Sequence, residues 1–146
     1  MTSNWNEWYA ERPRPERDHI SQVFWDGLRD GELRYQACPE CSTVQFYPRA
    51  ICTGCGGDPE WRSSTGHGTV HTFTVVRQHG SAPFKSQTPY VVAMIDVDPG
   101  FRMMGNVVDV DVDEVVIDMP VQVEFVHVDD ELTIPVWRPL DRATGS

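Results

Sequence analysis

Cys38-Pro39-Glu40-Cys41 and, after ten intervening residues, Cys52-Thr53-Gly54-Cys55-Gly56-Gly57 hold all four cysteines of this 146-residue chain. Zinc takes four tetrahedral ligands, and a two-residue gap lets both sulfurs of a Cys-x-x-Cys knuckle face the same ion. Two knuckles a short hairpin apart therefore complete a four-thiolate shell with no position left open for substrate. Glycine after the second knuckle suits a turn that needs positive φ. Two disulfides in a secreted domain are a competing reading. Residues Met1 to Ala10 argue against it, because they lack the apolar stretch of a secretion signal. Iron in a rubredoxin-like site is another, disfavoured because rubredoxins separate their knuckles more widely. The expectation is structural zinc on Cys38, Cys41, Cys52 and Cys55, although cysteines alone do not separate zinc from iron.

Outward from the knuckles, Leu33 and Tyr35 lead into the first and Phe46-Tyr47-Pro48-Arg49 into the second, with only a short hairpin between them. Residues 32–62 thus read as a zinc ribbon, in which the ion replaces a core too small to hold itself. Upstream, Trp5, Trp8 and Tyr9 precede Pro13-Arg14-Pro15, which predicts a short helix or coil ending in extended chain. Three aromatics suit packing on the body of the protein or on a partner. Asp18 reads as an N-cap, Ile20, Val23, Phe24 and Leu28 recur at helical spacing, and Gly31 reads as the stop. An amphipathic helix of about three turns follows. Trp25 lies off its apolar stripe, free to touch something else.

Downstream the period becomes two. In residues 69–78, Val70, Thr72, Thr74 and Val76 alternate with His71, Phe73 and Val75. Tyr90 to Val97 is apolar at nearly every position, which predicts a strand covered on both faces. Asp98-Pro99-Gly100 turns into a third strand over residues 101–108. Val121, Val123 and Phe125 mark a fourth, and Asp129-Asp130 turns into a fifth, Leu132 to Trp137. Five strands with a longer break after the third match a five-stranded OB-fold barrel. The β-branched content of that break, Asp109 to Met119, favours a loop or short turn over a helix. The chain is mainly β, organised as an N-terminal helical segment (1–31), the ribbon (32–62), the barrel (63–139) and a frayed tail (140–146).

Hydrophobic residues at 40% and charged residues at 23% fit a folded chain rather than a disordered one. No apolar run could cross a bilayer, so a cytoplasmic protein with reduced thiols and no membrane partner is expected. The formal net charge is -10. Eleven acidic residues and a single basic one, Arg102, lie from Asp96 to Glu131, against ten acidic and nine basic residues before Asp96. Such a field repels phosphate backbones. Catalytic sets are missing: there is no Gly-x-Ser-x-Gly elbow, phosphate loop or His-Glu-x-x-His helix. His67 and His71 would stand about 13 Å apart on a strand, too far to share an ion. Asp109, Asp111 and Asp113 begin like a calcium loop, but Glu114 stands where the turn needs glycine and Pro120 where a bidentate glutamate belongs. Thiolates in a full shell are not nucleophiles. In the loop from His79 to Pro89, Phe84 and Lys85 stand out, Lys85 being the chain's one lysine and a place where an anion could be met.

Several stretches together carry a family likeness: Phe24-Trp25-Asp26-Gly27-Leu28, Gly31-Glu32-Leu33, Tyr47-Pro48-Arg49, Gly66-His67-Gly68-Thr69-Val70, Phe73-Thr74-Val75-Val76, Pro89-Tyr90-Val91-Val92-Ala93, Gly105-Asn106-Val107-Val108 and Met119-Pro120-Val121. With the knuckles, they resemble the bacterial and archaeal family of zinc-ribbon/OB-fold acyl-CoA-associated proteins, long described as a domain of unknown function. Asp118 departs from the glycine usual before Met-Pro. The resemblance implies an auxiliary subunit without chemistry of its own. It would pair with a thiolase-like enzyme or a lipid-transfer-protein-like aldolase, the latter in steroid side-chain degradation, and form a hetero-oligomer around acyl-CoA. On that reading Trp25, Phe46, Tyr47, Arg49, Phe84 and Lys85 are the candidate ligand or partner contacts. Single-stranded nucleic-acid binding is the alternative for a ribbon plus OB-fold, disfavoured because the barrel half is the acidic half.

Overall fold

The computed structural model describes residues 5–98 and 100–140, with the side chains of Trp5 and Asn6 excepted. The expected fraying of 141–146 and the packing of Trp5 lie outside the described residues. Leu140 is tied down, its N–H donating to the Pro120 carbonyl at 3.0 Å.

After α1 (Trp5–Ala10), the amphipathic stretch forms α2 (Gln22–Arg29), a helix of eight residues. It is a turn shorter than the spacing predicts, and the capping explains why. The Asp18 carboxylate accepts from the Ser21 N–H at 2.8 Å, and the Ser21 hydroxyl accepts from the Asp18 N–H at 3.3 Å. This reciprocal pair closes a turn of its own, so α2 starts only after Ser21. Its end follows expectation. Gly31 sits at φ 81°, the Gly31 N–H reaches the Leu28 carbonyl at 3.0 Å and the Glu32 N–H the Gly27 carbonyl at 2.7 Å, a Schellman closure.

The ribbon is a three-stranded antiparallel sheet in the order β2 (Val44–Gln45), β1 (Arg34–Ala37), β3 (Glu60–Ser63). The barrel consists of β4 (His67–Val76), β5 (Tyr90–Val97), β6 (Phe101–Val107), β7 (Pro120–Asp129) and β8 (Leu132–Pro139), closed in the order β4-β5-β6-β8-β7. A short helix α3 (Phe84–Gln87) lies between β4 and β5, and a 3-10 turn at Val112–Glu114 sits in the break before β7.

Two strands differ from their patterns. The register of β4 against β5 shifts between Val70 and Thr72, so His71 is the extra residue of a bulge. The bulge moves the inward set from even to odd positions. Val70 is fully buried, then Phe73 and Val75 pack on the core, while Thr72 and Thr74 are exposed. Unbroken alternation would have put Val70 and Thr74 on one face. In β5 Val91, Ala93, Ile95 and Val97 join the main core cluster, and Tyr90 is buried on the other face, where Val92 and Met94 are half-buried.

One core runs through all three parts. Phe24 and Leu28 of α2, Leu33, Tyr35 and Ala37 of the ribbon, and Val70, Ile95, Phe101 and Trp137 of the barrel belong to one buried cluster. Aromatic rings form its spine: Phe24 lies 5.3 Å from Phe46, Phe46 5.2 Å from Phe101 and Phe101 5.1 Å from Tyr35. A second cluster holds the N-terminal arm, with Tyr9 buried and Trp8 packed alongside Val108, Val126 and Val136. The Arg12 guanidinium lies over four rings, 4.4 Å from Trp8, 4.9 Å from Tyr9 and Phe84, and 5.0 Å from Tyr90. It also donates to Gln87 Oε1 at 2.8 Å and Asn106 Oδ1 at 3.0 Å. Trp8 and Tyr9 are therefore committed to this chain's own barrel.

The barrel closes between β6 and β8, where Val107 pairs in parallel with Trp137. The Trp137 indole is fully buried, and a Cβ on Gly105 would come within 2.8 Å of its Cδ1. Gly105→Ala should therefore lower the unfolding free energy by about 1–3 kcal/mol, the cost of overpacking a tight core, read as an earlier midpoint in urea unfolding.

Candidate functional site

Both knuckles fold with one hydrogen-bond pattern. The Cys38 N–H donates to the Thr43 carbonyl at 2.8 Å and the Ser42 N–H to the Cys38 carbonyl at 2.9 Å. Fourteen residues later, Cys52 pairs with Gly57 and Gly56 with Cys52 at the same distances. The equivalent turn residues, Ser42 and Gly56, both take positive φ, 67° and 79°. The glycine preference read at the second knuckle is thus met at Gly56, while at the first a serine holds the same left-handed conformation.

This geometry gathers the four Sγ atoms within 4.8 Å of one another, with Cys38 and Cys55 3.6 Å apart and Cys41 and Cys52 3.5 Å apart. A disulfide needs about 2 Å, so these are free thiols. The edge of a zinc–sulfur tetrahedron with 2.3 Å bonds is about 3.8 Å, which these separations fit. The donors around the sulfurs favour the thiolate form. Thr43, through its hydroxyl 3.0 Å away and its backbone N–H, holds the Cys41 thiol below its usual range. The Cys55 and Gly54 N–H groups, against the effect of burial, pull Cys52 down to about 6. Gly57's N–H pulls Cys55 the same way, yet the neighbouring sulfurs push it up to about 12. Four thiolates this close need a shared cation. Among the described residues no other group of ligating side chains meets around one point. His71 instead pairs with Asp96 at 3.2 Å, and Asp113 with Arg77 at 3.1 Å.

Behind the sulfurs lie two buried glutamines that the sequence reading passed over. Gln36 and Gln45 face each other across β1 and β2, and Gln45 Nε2 donates to Gln36 Oε1 at 2.8 Å. Gln36 also accepts from the Arg49 N–H at 2.8 Å and donates to the Arg49 carbonyl at 2.9 Å. Gln45 Oε1 accepts from the Thr53 N–H and hydroxyl at 2.9 and 3.1 Å. Together they satisfy the irregular backbone from Arg49 to Thr53 that carries the second knuckle. The available signal was glutamine at a strand position whose sequence neighbours, Tyr35 and Ala37, are apolar.

The six candidate contact residues fall into three places. Trp25, Phe46 and Tyr47 meet in an apolar cleft of about 420 Å³, with Pro48, Met103 and Met104 among its walls. Phe46 is also part of the aromatic spine, while Tyr47 and Met104 are 52% and 54% exposed. The Tyr47 hydroxyl accepts from the Met104 N–H at 3.4 Å, tying ribbon to barrel across the cleft. Arg49 lines an adjoining, more polar cleft of about 860 Å³ between ribbon and barrel, together with His67, Asp96, Asp98 and Arg102. Phe46 and Tyr47 form the wall shared by the two clefts. Phe84 lies under Arg12, and the exposed Lys85 is in a third depression with Arg77 and His79. Arg49 and Lys85, both candidate ligand or partner contacts from the sequence, do not share a site.

Comparison with known proteins places this architecture. Residues 25–62 match the family described as ChsH2, rubredoxin-like zinc ribbon domain, and residues 61–126 the one described as ChsH2, C-terminal OB-fold domain. A DUF35 domain-containing scaffold protein of Methanothermobacter thermautotrophicus is 33% identical over 115 residues, 77% of this chain and 80% of that protein. The chain belongs to the ChsH2/DUF35 family. A chain of the solved Ltp2-ChsH2(DUF35) aldolase superposes with a TM-score of 0.78 at 31% identity, covering 86% of this chain and 98% of that one. A probable enoyl-CoA hydratase alpha subunit of Thermomonospora curvata is 31% identical over 130 residues, 89% of this chain. This chain spans only about two fifths of that relative, 40% of its length. ChsH2/DUF35 relatives thus include a scaffold protein, a hydratase subunit and a component of an aldolase. No helix among the described residues is long and apolar enough to cross a membrane.

Gln36→Leu keeps the bulk of the side chain while removing both partners of Arg49's backbone. It should cost about 2–3 kcal/mol, the penalty for stranding buried polar groups. Hydrogen exchange should show the loss concentrated at residues 45–53 rather than in the barrel.

Proposed function

We propose that this chain is a non-catalytic, acyl-CoA-associated subunit that assembles with a thiolase-superfamily enzyme. The partner is a thiolase or a lipid-transfer-protein-like aldolase, including those that act on steroid side chains. The likeness to a chain of the Ltp2-ChsH2(DUF35) aldolase over 98% of that chain's length carries the reading. The four cysteines hold zinc in a structural role, since a closed shell of four sulfurs leaves no coordination position for substrate.

The apolar cleft where helix, ribbon and barrel meet suits a partner's surface. Aromatic residues and methionine are enriched at the cores of interfaces, and Tyr47, in the bend after β2, and Met104, on β6, stand half-exposed. The metal centre and the glutamine relay fix the segment from Phe46 to Arg49, so its side chains lose little further freedom on docking.

Co-expression with a thiolase-like protein from the same host should yield a stable complex in size exclusion. Met104→Ala should weaken that complex by about 1–2 kcal/mol while leaving the melting temperature of the isolated chain nearly unchanged. Tyr47→Ala should weaken it as well while lowering the melting temperature through its lost contacts with Phe46 and the Met104 N–H. A chain that stays alone and leaves the partner's turnover untouched contradicts the proposal.

A further inference from the structure

From Trp61 to Ile95 the chain contains no aspartate or glutamate, although the whole protein has 22 of them. The same stretch carries Arg62, Arg77, Lys85 and three of the five histidines. The β4–β5 connection places part of this charge in a depression of about 650 Å³ lined by Arg77, Gln78, His79, Gly80, Lys85 and Thr88. The lining is rich in donors, and its geometry is held from behind. The Ser81 N–H donates to His79 Nδ1 at 3.2 Å, so the ring hydrogen of the neutral imidazole sits on Nε2. The His79 ring packs 4.7 Å from Phe84, which Arg12 covers in turn at 4.9 Å. Arg77 is oriented by Asp113 at 3.1 Å, the one ion pair made by the lining among the described residues. Lys85 makes none and is exposed.

An ammonium, a guanidinium and an imidazole N–H around one depression, with no carboxylate in its lining, suit an anion with several acceptor oxygens. A phosphate ester is that anion. We propose that the Arg77–His79–Lys85 depression binds the phosphate of a small phosphorylated nucleotide. On the acyl-CoA reading above, and resting on it for this step alone, the occupant is the adenosine 3′-phosphate end of coenzyme A. The acidic stretch from Asp96 to Glu131 keeps a long polyanion away while a compact ligand can still reach these donors.

The test is calorimetric titration of the full chain, without any partner, with adenosine 3′,5′-bisphosphate. Inorganic phosphate and a single-stranded oligonucleotide are titrated in parallel. Saturable one-to-one binding of the bisphosphate is expected. Lys85→Ala and Arg77→Gln should each weaken it about tenfold, the loss of one charge-assisted hydrogen bond. Arg29→Ala, on α2 and outside the depression, should leave it unchanged. Amide shifts on titration should cluster at residues 77–88. The site is overturned if the bisphosphate does not saturate, if Lys85→Ala binds as well as the parent, or if the shifts map elsewhere. Inorganic phosphate binding equally well removes the nucleotide from the proposal, and an oligonucleotide displacing the bisphosphate with steep salt dependence replaces it with a polyanion site. Because no partner is present, failure here leaves the subunit assignment standing, and failure of complex formation leaves this site standing.

Discussion

The structure depends on four sulfurs drawn to within 4.8 Å of one another. The ribbon sheet has strands of two, four and four residues, too little apolar area to hold a fold by burial alone. A tetrahedral ion supplies what the core lacks, because binding energy at such a site is folding energy. Everything built on the ribbon inherits this dependence. Phe46 follows β2 directly and reaches the barrel through Phe101, 5.2 Å away. The metal shell, the glutamine relay and the aromatic spine form one chain of support from the knuckles to the barrel wall.

That chain separates structural from interacting side chains. Phe46 and Phe24 are spent on the internal spine, and Tyr9 and Trp8 on clamping the arm through Arg12. Among the described residues the fold leaves uncovered Tyr47 and Met104 in an apolar cleft, Arg49 in a polar one and Lys85 with Arg77 in a basic depression, besides the apolar Ile51, Val116 and Ile117. On the proposed reading these are the surfaces an auxiliary subunit would offer, with Tyr47 and Arg49 carried by the irregular backbone after β2 and Met104 by β6.

Much of this was legible in the chain because the strongest signals are local. The cysteine spacing fixes the ribbon, Gly31 ends α2, and the five alternating stretches give the barrel. What escaped was set by register or by distant partners. The bulge at His71 inverts the faces of β4 with no glycine or proline to announce it. Asp18 spends its carboxylate on Ser21 and so shortens α2. Gln36 and Gln45 are unremarkable in sequence and matter only because cross-strand register puts them opposite each other. Arg12 reads as one charge in a Pro-rich arm until the fold surrounds it with rings contributed from residues 8 to 90. The separation of Arg49 from Lys85 is likewise a fact of three dimensions.

The most direct test of a structural rather than chemical role for the four cysteines is Cys52→Ser, followed by metal content, thermal unfolding and complex formation with a thiolase-like partner. The account predicts lost metal, a less stable ribbon and failed assembly, with the barrel's strand signals retained. A variant that folds and assembles like the parent while the complex loses its chemistry would contradict it.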